Sequence, residues 1–593
     1  MKIIGLDCET TEIPDNGYDL PDVLHCIVTS EYGVDPAVGT ARWTCLDNFN
    51  GFLEYVSDVD KFVMHGGVAF DARVLNRLLG TKIKVSQIID TLILSQLDNP
   101  IIKGGHSLAA WGERFKYPKD TFSDYTQYSP ELLNRCEVDV EITMKLFRYL
   151  STRKINPKAY QLEAKVRSLV SQQEVNGFTL DIQKVIALQN KLTTLSNTLE
   201  ELITESFGPL PKHVRDYTLR HNSDGSISKV GLNHLKDTDV AVVVAGDHSV
   251  IDWPAFNLNS RQQIAKHLVN RGWNPTKFTE KTEEPIISET TLKGVDIPEA
   301  TLLAENLMVV SRIADTRNWI KAYQEDGKVH GTVYTIGAVT NRMAHVEPNV
   351  AQVPASYSPY GPEMRECFTA SEGLVLVGAD ASGLELRCLA HYMNDTNYIK
   401  EILEGDIHTV NMHAAGLTNR DTAKTFFYAW LYGAGPAKIG QIVGGTSKDG
   451  KALIDKFLES LPPLKALKER VQDLVPKGGR QGLQAAGRLE AIDGRMLVVK
   501  SEHAALNVLL QGAGAVICKQ WLVDIDTLNY KRGTGAKLVA SIHDEYQHDC
   551  LPDKAEEFGQ LTKDAIKITE RKLGLNCPLD SEYKVGVNWR LTH

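Results

Sequence analysis

The sequence predicts a mixed α/β protein of several domains: an α/β unit at the N-terminus, a helical middle and an α+β C-terminal half. Three observations predict it. At 593 residues the chain exceeds what one hydrophobic core supports. Its first residues, MKIIGLDCETTE, read as a strand with carboxylates at alternate positions, and a helix-patterned stretch, PELLNRCEVDVEITMKLFRYL, follows later. Toward the other end, two apolar runs, VLVGAD and LVASIHDE, stop at acidic residues and are separated by helical sequence. Composition is that of an ordinary soluble globular protein, 42% hydrophobic and 24% charged. A formal charge of −10 speaks against indiscriminate binding to nucleic acid, but it is a sum, and a basic cleft can coexist with acidic metal sites.

In the first strand a period of two places Asp7 and Glu9 on one face and Cys8 on the other. HGGVAFD then brings His65 and Asp71 beside two glycines that permit close backbone approach, and QIIDTLILSQL carries Asp90. Leu132, Leu133, Cys136, Val140 and Leu146 give the closing helix an apolar side, and the same helix carries Asp139. One such aspartate is usually a cap or a solvated group. An acidic pair on a first strand, another after a His-Gly-Gly turn and a third on a late helix form a more specific set. Four carboxylates can hold two divalent cations, which activate a water and stabilise the leaving oxygen of a phosphodiester. The acidic N-terminus does not read as a signal peptide, and no apolar run reaches the length of a membrane span. The nine cysteines form no CxxC pair, so reduced thiols in a cytoplasm are expected.

From about Asn156 the pattern is helical. Val185, Leu188, Leu192, Leu195, Leu199 and Leu202 predict a two-helix seam, read as an antiparallel helical hairpin. Between Phe207 and Asn257 the chain is turn-rich, with five Lys/Arg (212, 215, 220, 229, 236) against six Asp (216, 224, 237, 239, 247, 252), which suggests an irregular functional loop or small accessory subdomain.

In the C-terminal half, a buried strand runs into Asp380, and a Ser-Gly turn leads to a helix opening with Glu385. LVASIHDEYQHD reads as two strands around a tip holding Asp544 and Glu545. Two neighbouring carboxylates repel, so their placement there calls for a positive partner. Between these runs, TNRDTAKTFFYAWLYGAG repeats Arg420, Lys424 and Tyr428 every four residues, one helix face, with Tyr432 a turn further on and His408 in GDIHT just upstream. Strand-end aspartates holding two Mg²⁺, with cations gripping a triphosphate between helix and metals, fit one task.

The motif DASGLELRCLAH, followed by RDTAKTFFYAWLYGAG, KIGQIVG, EHAALNVLLQGAGA and HDE in this order, resembles family A DNA polymerases over essentially the whole chain, in particular T-seven-like phage replicative enzymes. The N-terminal carboxylates resemble the DEDD 3′–5′ exonuclease set, matched at Asp7, Glu9, Asp71 and Asp139. The resemblance implies a ribonuclease-H-like exonuclease domain over 1–155. It further implies a right-hand polymerase with thumb and connecting helices over 156–330, palm over 331–392 and 531–593, and fingers over 393–530. It implies that Asp380 and Asp544, with the Ala381 carbonyl, ligate two Mg²⁺ (Mn²⁺ substituting), supported by Glu545. Arg420, Lys424 and His408 would bind the triphosphate and Tyr428 would stack near the sugar. Glu385 would hold the Tyr428 hydroxyl and exclude a ribose 2′-OH, and Tyr432 would sit by the templating base. His543 would lie near the primer end, and Arg342, Asn507 and Gln511 would touch the primer-template minor groove, where a donor checks pairing geometry without reading sequence. IDGR (492–495) is expected to be a structural hairpin turn.

The pattern departs from the family where Arg135 stands for the tyrosine one helical turn before Asp139, and where Gly66 stands for the asparagine after His65. A guanidinium cannot act as a base, so an intact metal site with weakened proofreading is expected, with Tyr125 or Tyr128 as substitutes. The expected setting is phage genome replication in the cytoplasm of a bacterial host. The chain would act there as a monomer on primer-template DNA and dNTPs, with helicase-primase and single-stranded DNA-binding protein as replisome partners. The slightly acidic 207–257 stretch does not carry over the family's thioredoxin-type processivity factor. The competing readings are a nuclease-centred enzyme whose C-terminal half only holds DNA, a non-catalytic replisome scaffold, and a single-subunit RNA polymerase. The scaffold would need damaged metal sites, and Glu385 with Tyr428 suits a deoxyribose gate better than an RNA polymerase.

Overall fold

The computed structural model describes residues 1–593 except 13, 15–17, 120, 121, 123, 219, 231–246, 280 and 476–486. It divides into two compact units, one of Met1–Ile182 and Ala322–His593, the other of Gln183–Lys321.

The first unit opens with β1 (Ile3–Thr10), β2 (Leu24–Glu31), β3 (Thr40–Thr44), β4 (Lys61–Met64) and β5 (Ile88–Asp90). They form one mixed sheet in the order β3-β2-β1-β4-β5, antiparallel from β3 to β1 and parallel from β1 to β5. Helix α1 (Asp71–Leu78) follows β4, and α2 (Pro130–Ser151) lies across β1 and β2. Ser129 caps α2 by accepting from the Leu132 N–H, with proline in the first turn where its missing donor costs nothing. As the spacing predicts, α2 buries Leu132, Cys136, Val140 and Leu146, and it buries Asp139 with them.

Helix α3 (Pro157–Asn176) belongs to this unit as well, and the second unit begins at Gln183. The reason is packing: Leu162, Val166 and Val170 of α3 share a core cluster with Val516 and Val523 from far along the chain.

The second unit is built on α4 (Ile182–Phe207) and α5 (Pro298–Ala322), which run antiparallel. Ser196 bonds Asn306 at 2.9 Å and Ser206 bonds Glu299 at 2.8 Å. The partner of α4 is therefore remote in sequence. The buried stripe is Val185, Leu188, Leu192, Ser196, Leu199, Ile203 and Phe207, while Leu202 is 46% exposed. That spacing repeats every eleven residues, closer to the ~3.6-residue turn of a straight helix than a heptad is, so the heptad-like expectation drifts off the seam at Leu202. Within the stretch expected to be irregular, Lys212–Thr218 and Asp247–Asp252 pair as an antiparallel hairpin. Residues 219 and 231–246 of that stretch lie outside the described residues.

The remainder of the first unit contains a small hairpin of β6 (Thr332–Tyr334) and β7 (Ala344–Val346), then β8 (Val375–Ala381) and α6 (Leu384–Met393). Next come α7 (Ile407–Ala415), α8 (Arg420–Leu431), the hairpin β9 (Gly487–Glu490) and β10 (Met496–Val499), and α9 (Ala505–Arg532). The chain ends with β11 (Lys537–Ile542), β12 (Glu545–Cys550), α10 (Ala555–Leu573) and β13 (Ser581–Gly586). A four-stranded antiparallel sheet has the order β11-β12-β8-β13. The two strands expected around the HDE tip are β11 and β12, and IDGR turns between β9 and β10. Helix α9, within 502–532, is by length and composition apolar enough to cross a membrane, but 89% of its most apolar window is buried as core. Trp521 on α9 donates to the Thr562 carbonyl on α10 at 2.9 Å, and Tyr546 on β12 donates to the Cys518 carbonyl at 2.7 Å, tying helices to sheet.

Candidate active site

The sheet brings three acidic residues from distant sequence to one edge. Asp380, next to last in β8, is directly opposite Glu545, first in β12, and the Ala381 N–H donates to the Asp544 carbonyl at 3.1 Å. The β11–β12 hairpin closes on His543 and Asp544 alone, with His543 left-handed at φ 54°, a conformation His tolerates better than a β-branched residue. Burial, then Asp544 and Glu545, push Asp380 up to about 7. Burial, then Glu385, push Asp544 up to about 6. Glu545 differs. Burial works against its charge, but His593, Arg365 and Gln547 outweigh it and hold the carboxyl below its ordinary value. Its oxygens accept from Trp589 Nε1 at 2.6 Å and pair with His593 Nδ1 at 2.8 Å and Arg365 Nη1 at 3.7 Å. Glu545 is thus a fixed anchor of the sheet edge, whereas Asp380 and Asp544 repel one another.

Beside them is a cavity of about 300 Å³ lined by Arg342, Glu385, Tyr432, Lys519, His543 and Asp544. Glu385 opens α6 behind a left-handed Gly383 and accepts from the Tyr432 hydroxyl at 3.0 Å and Arg342 Nη2 at 3.2 Å. The expected partner of Glu385 was Tyr428. In this structure the hydroxyl that meets Glu385 is that of Tyr432, the C-cap residue of α8, whose N–H still bonds the Tyr428 carbonyl at 2.9 Å. Tyr428 stacks against Tyr432 with centroids 6.4 Å apart and lies 5.9 Å from the His408 ring. Arg420 holds Asp406, the N-cap of α7, through two bonds of 2.7 and 3.0 Å. His408, in the first turn of α7, is kept below its ordinary pKa by burial and then by Lys424 and Arg420, so the imidazole shares one neighbourhood with the two cationic side chains. Asn507, near the start of α9, donates to the Leu431 carbonyl at 3.3 Å, and Gln511 lies one turn on.

In the N-terminal sheet, Asp7 and Glu9 of β1 and Asp139 of α2 present carboxylate oxygens within 4.8 Å of one another. The fourth expected member, Asp71, is outside this trio. It heads α1 and accepts instead from the Cys8 backbone N–H at 3.3 Å and thiol at 3.4 Å. Burial, then Asp139, push Glu9 up to about 7, and burial, then Asp71, push Asp7 up as well. Two cations already engage the trio: Lys119 pairs with Asp139, and Arg135 lies 3.4 Å from Glu9. Arg135 also lies over the Tyr125 ring at 5.5 Å, so Tyr125 is closer to the cluster's edge than its sequence position reveals. Asp90 is taken up as a cap, accepting from the Gly66, Val68 and Leu92 N–H groups. His65 bonds Thr91 at 2.9 Å.

Residues 235–591, more than half of the chain, match the family model described as DNA polymerase family A. The chain belongs to DNA polymerase family A. It is 33% identical to the DNA-directed DNA polymerase of Escherichia phage T7, over 96% of this chain and 98% of that one. It is also 33% identical to the enzyme of Enterobacteria phage T3, over 90% and 92%. The thermostable DNA polymerase I of Thermus aquaticus is 28% identical over 56% of this chain and 42% of its own length. A solved structure with the same fold, at TM-score 0.75 and 15% identity over the full chain and 96% of its own, is the POL domain of Pol1 from M. smegmatis, in complex with DNA primer-template and dNTP.

In this family A polymerase several residues that hold the two acidic clusters and the cavity beside them left little mark in the sequence. Asp406 carries a readable signal, an Asp just before a helix start. Arg365, Trp589, Lys119 and Lys519 carry none, because each acts through a contact made only by the fold.

Proposed function

We propose that this DNA polymerase extends a primer 3′-hydroxyl with dNTPs in the cleft between β8, the HDE hairpin and α8, by two-metal phosphoryl transfer, in phage genome replication. The observation that carries this reading is the pair Asp380 and Asp544, held side by side by the Ala381–Asp544 hydrogen bond and both raised by burial and repulsion. An all-oxygen donor set of that kind, with the Ala381 carbonyl beside it, suits Mg²⁺ and tolerates Mn²⁺. Bound there, the two ions would acidify the attacking hydroxyl and neutralise the departing pyrophosphate. Glu545 would hold the strand end in place. Arg420, Lys424 and His408 would bind the triphosphate, which must displace Asp406 from Arg420. A swap of Glu385 from Tyr432 to Tyr428, one helical turn back, would clear the cavity for the template base and close the gate against a 2′-hydroxyl. Arg342, His543, Asn507 and Gln511 would line the path of the primer-template.

We also propose a 3′–5′ exonuclease in the N-terminal domain. The strand order β3-β2-β1-β4-β5 and the trio Asp7, Glu9 and Asp139 support it, with Asp71 completing the set on a side-chain turn away from Cys8. Asp139 Oδ1, buried and without a hydrogen-bond partner, suits a cation ligand. Arg135 would weaken the rate, since it supplies charge but no base.

Primer extension on matched and 3′-mismatched primers tests both sites at once. The polymerase reading expects Asp544→Ala to abolish extension. Unchanged principal activity in that variant, with degradation as the main reaction, would favour a nuclease that merely holds DNA. Efficient extension with ribonucleotides would count against the proposed gate.

A further inference from the structure

Four charged side chains far apart in sequence meet in the interior behind the cleft. Glu163 of α3, Arg495 and Asp493 of the β9–β10 turn, and Lys519 of α9 form a neutral quartet whose side chains are all at most 5% exposed. Glu163 Oε1 pairs with Arg495 Nη1 and accepts from Lys519 Nζ at 2.6 Å, while Asp493 holds the other edge of the Arg495 guanidinium at 2.7 and 2.9 Å. Buried ion pairs of this sort add little net stability, so their presence invites a positional explanation.

Each of the two cations sends one further hydrogen bond to the same residue. Arg495 Nη1 donates to the Asn341 side-chain oxygen at 3.1 Å, and Lys519 Nζ donates to the Asn341 carbonyl at 2.8 Å. Asn341 is 2% exposed and left-handed at φ 58°. Its carbonyl belongs to the peptide that leads into Arg342. Fixing that oxygen fixes the peptide plane, and with it the direction in which Arg342 leaves the backbone. Arg342 then reaches Glu385 on the cavity wall, which Lys519 also lines.

We propose that Asn341 is the positioning residue for Arg342, and that the quartet of Glu163, Asp493, Arg495 and Lys519 aims Arg342 at the primer end and so sets how strictly a mispaired terminus is refused. This rests on the reading of the cleft as the site of primer extension. A loop carrying a left-handed residue has several backbone alternatives, and a long guanidinium amplifies a small peptide rotation into a displacement of its tip. One carboxylate gripping two cations, which grip both polar ends of one Asn, removes those alternatives.

The test is a double-mutant cycle read in steady-state primer extension, with matched and 3′-mismatched primers. Lys519→Met cannot donate to the Asn341 carbonyl, whereas Lys519→Gln can. Losing a charge-assisted bond that acts on positioning corresponds to roughly a 10- to 100-fold fall in kcat/KM on matched ends. The expected result is that fall for Lys519→Met, carried mainly by KM for primer-template, with reduced discrimination against mismatches and partial rescue by Lys519→Gln. In an Arg342→Ala background Lys519→Met should add less than about threefold, since the group it aims is gone. Asn341→Gly keeps the carbonyl that Lys519 grips but loses the side-chain oxygen that Arg495 grips and frees the backbone, so it should show the same loss of discrimination in weaker form if the lysine variant folds poorly. Additive losses in the cycle, or unaltered discrimination in a folded Asn341→Gly protein, overturn the inference while leaving the polymerase reading standing. A wild-type chain that extends no matched primer removes that reading and the inference with it.

Discussion

Replacing Asp380 by Asn changes stability and activity in opposite directions if the electrostatic account of the cleft is right. Asp380 titrates at about 7 in place of 3.8 because it is buried beside Asp544 and Glu545. A carboxylate raised in this way binds its proton more tightly folded than unfolded, so stability is fully present below the unfolded value and falls as pH rises toward 7. At about 1.4 kcal/mol per tenfold, the gap bounds the burden of the ionised group at about 4 kcal/mol. Part of that is repulsion shared with Asp544, so about 2 kcal/mol of relief is expected from the Asn variant. In EDTA near pH 8 the variant should melt a few degrees above wild type. Near pH 4, where both forms are neutral at this position, the two should converge. Mg²⁺ should reverse the order, since wild type gains from binding. Primer extension by the variant should meanwhile drop by about a thousandfold or more. An Asp380→Asn protein less stable than wild type in EDTA near pH 8, or a difference that ignores pH, would refute the reasoning.

Glu545→Gln should do the reverse of Asp380→Asn, destabilising by about 2–4 kcal/mol because Arg365 and His593 lose a buried anionic partner. Glu545 is held below its ordinary 4.5, so its contribution is present above that value, and the gap between variant and wild-type melts should close as pH falls through the acid range. Asp406→Ala should lower KM for dNTP several-fold, because the triphosphate no longer competes with a carboxylate for Arg420; a raised KM in steady-state kinetics would contradict this. Ser196→Ala should strip the buried Asn306 oxygen of its donor and destabilise by about 1–2 kcal/mol, read as earlier unfolding by hydrogen exchange in α4 and α5 with primer extension preserved.

What the sequence disclosed was what repeats or terminates. A period of two put Asp7 and Glu9 together, and apolar runs ending in acids located β8 and the β11–β12 hairpin. A four-residue step put Arg420, Lys424 and Tyr428 on one helix. What it withheld was set by termini and registers. Tyr432 continues the same step as Tyr428, one turn on, and nothing in that spacing says which of the two hydroxyls meets Glu385. Leu202 fits a heptad but Ile203 fits a straight helix, and one residue separates exposure from core. The strand SEYKVG has too few apolar positions to announce itself, although β13 completes the sheet beside Asp380. Asp71 was legible as a member of an acidic set but not as a partner of Cys8, because only the fold brings the head of α1 against β1.

The two acidic clusters differ in where their nearby cations are spent, and this orders their metal affinities. In the C-terminal half, Arg342 is held by Glu385, Arg420 by Asp406, and Lys519 shares Glu163 with Arg495, so these cations are engaged by anions other than Asp380 and Asp544. The repulsion between Asp380 and Asp544 is left for a divalent ion to relieve. In the N-terminal cluster Lys119 and Arg135 pair directly with Asp139 and Glu9, so an incoming ion must displace an ammonium and a guanidinium from its own ligands. Mn²⁺ titrated into the protein and followed by paramagnetic resonance should therefore fill the site at Asp380 and Asp544 first, and Asp380→Asn should remove the tighter class of sites. Lys119→Met with Arg135→Tyr should strengthen the weaker class by about tenfold, an ion-pair displacement being worth about 1–2 kcal/mol, and should raise digestion of single-stranded DNA with it. If the double variant binds no more tightly than wild type, the two cations are bystanders, and the weak proofreading expected from Arg135 must come from the lost hydroxyl alone.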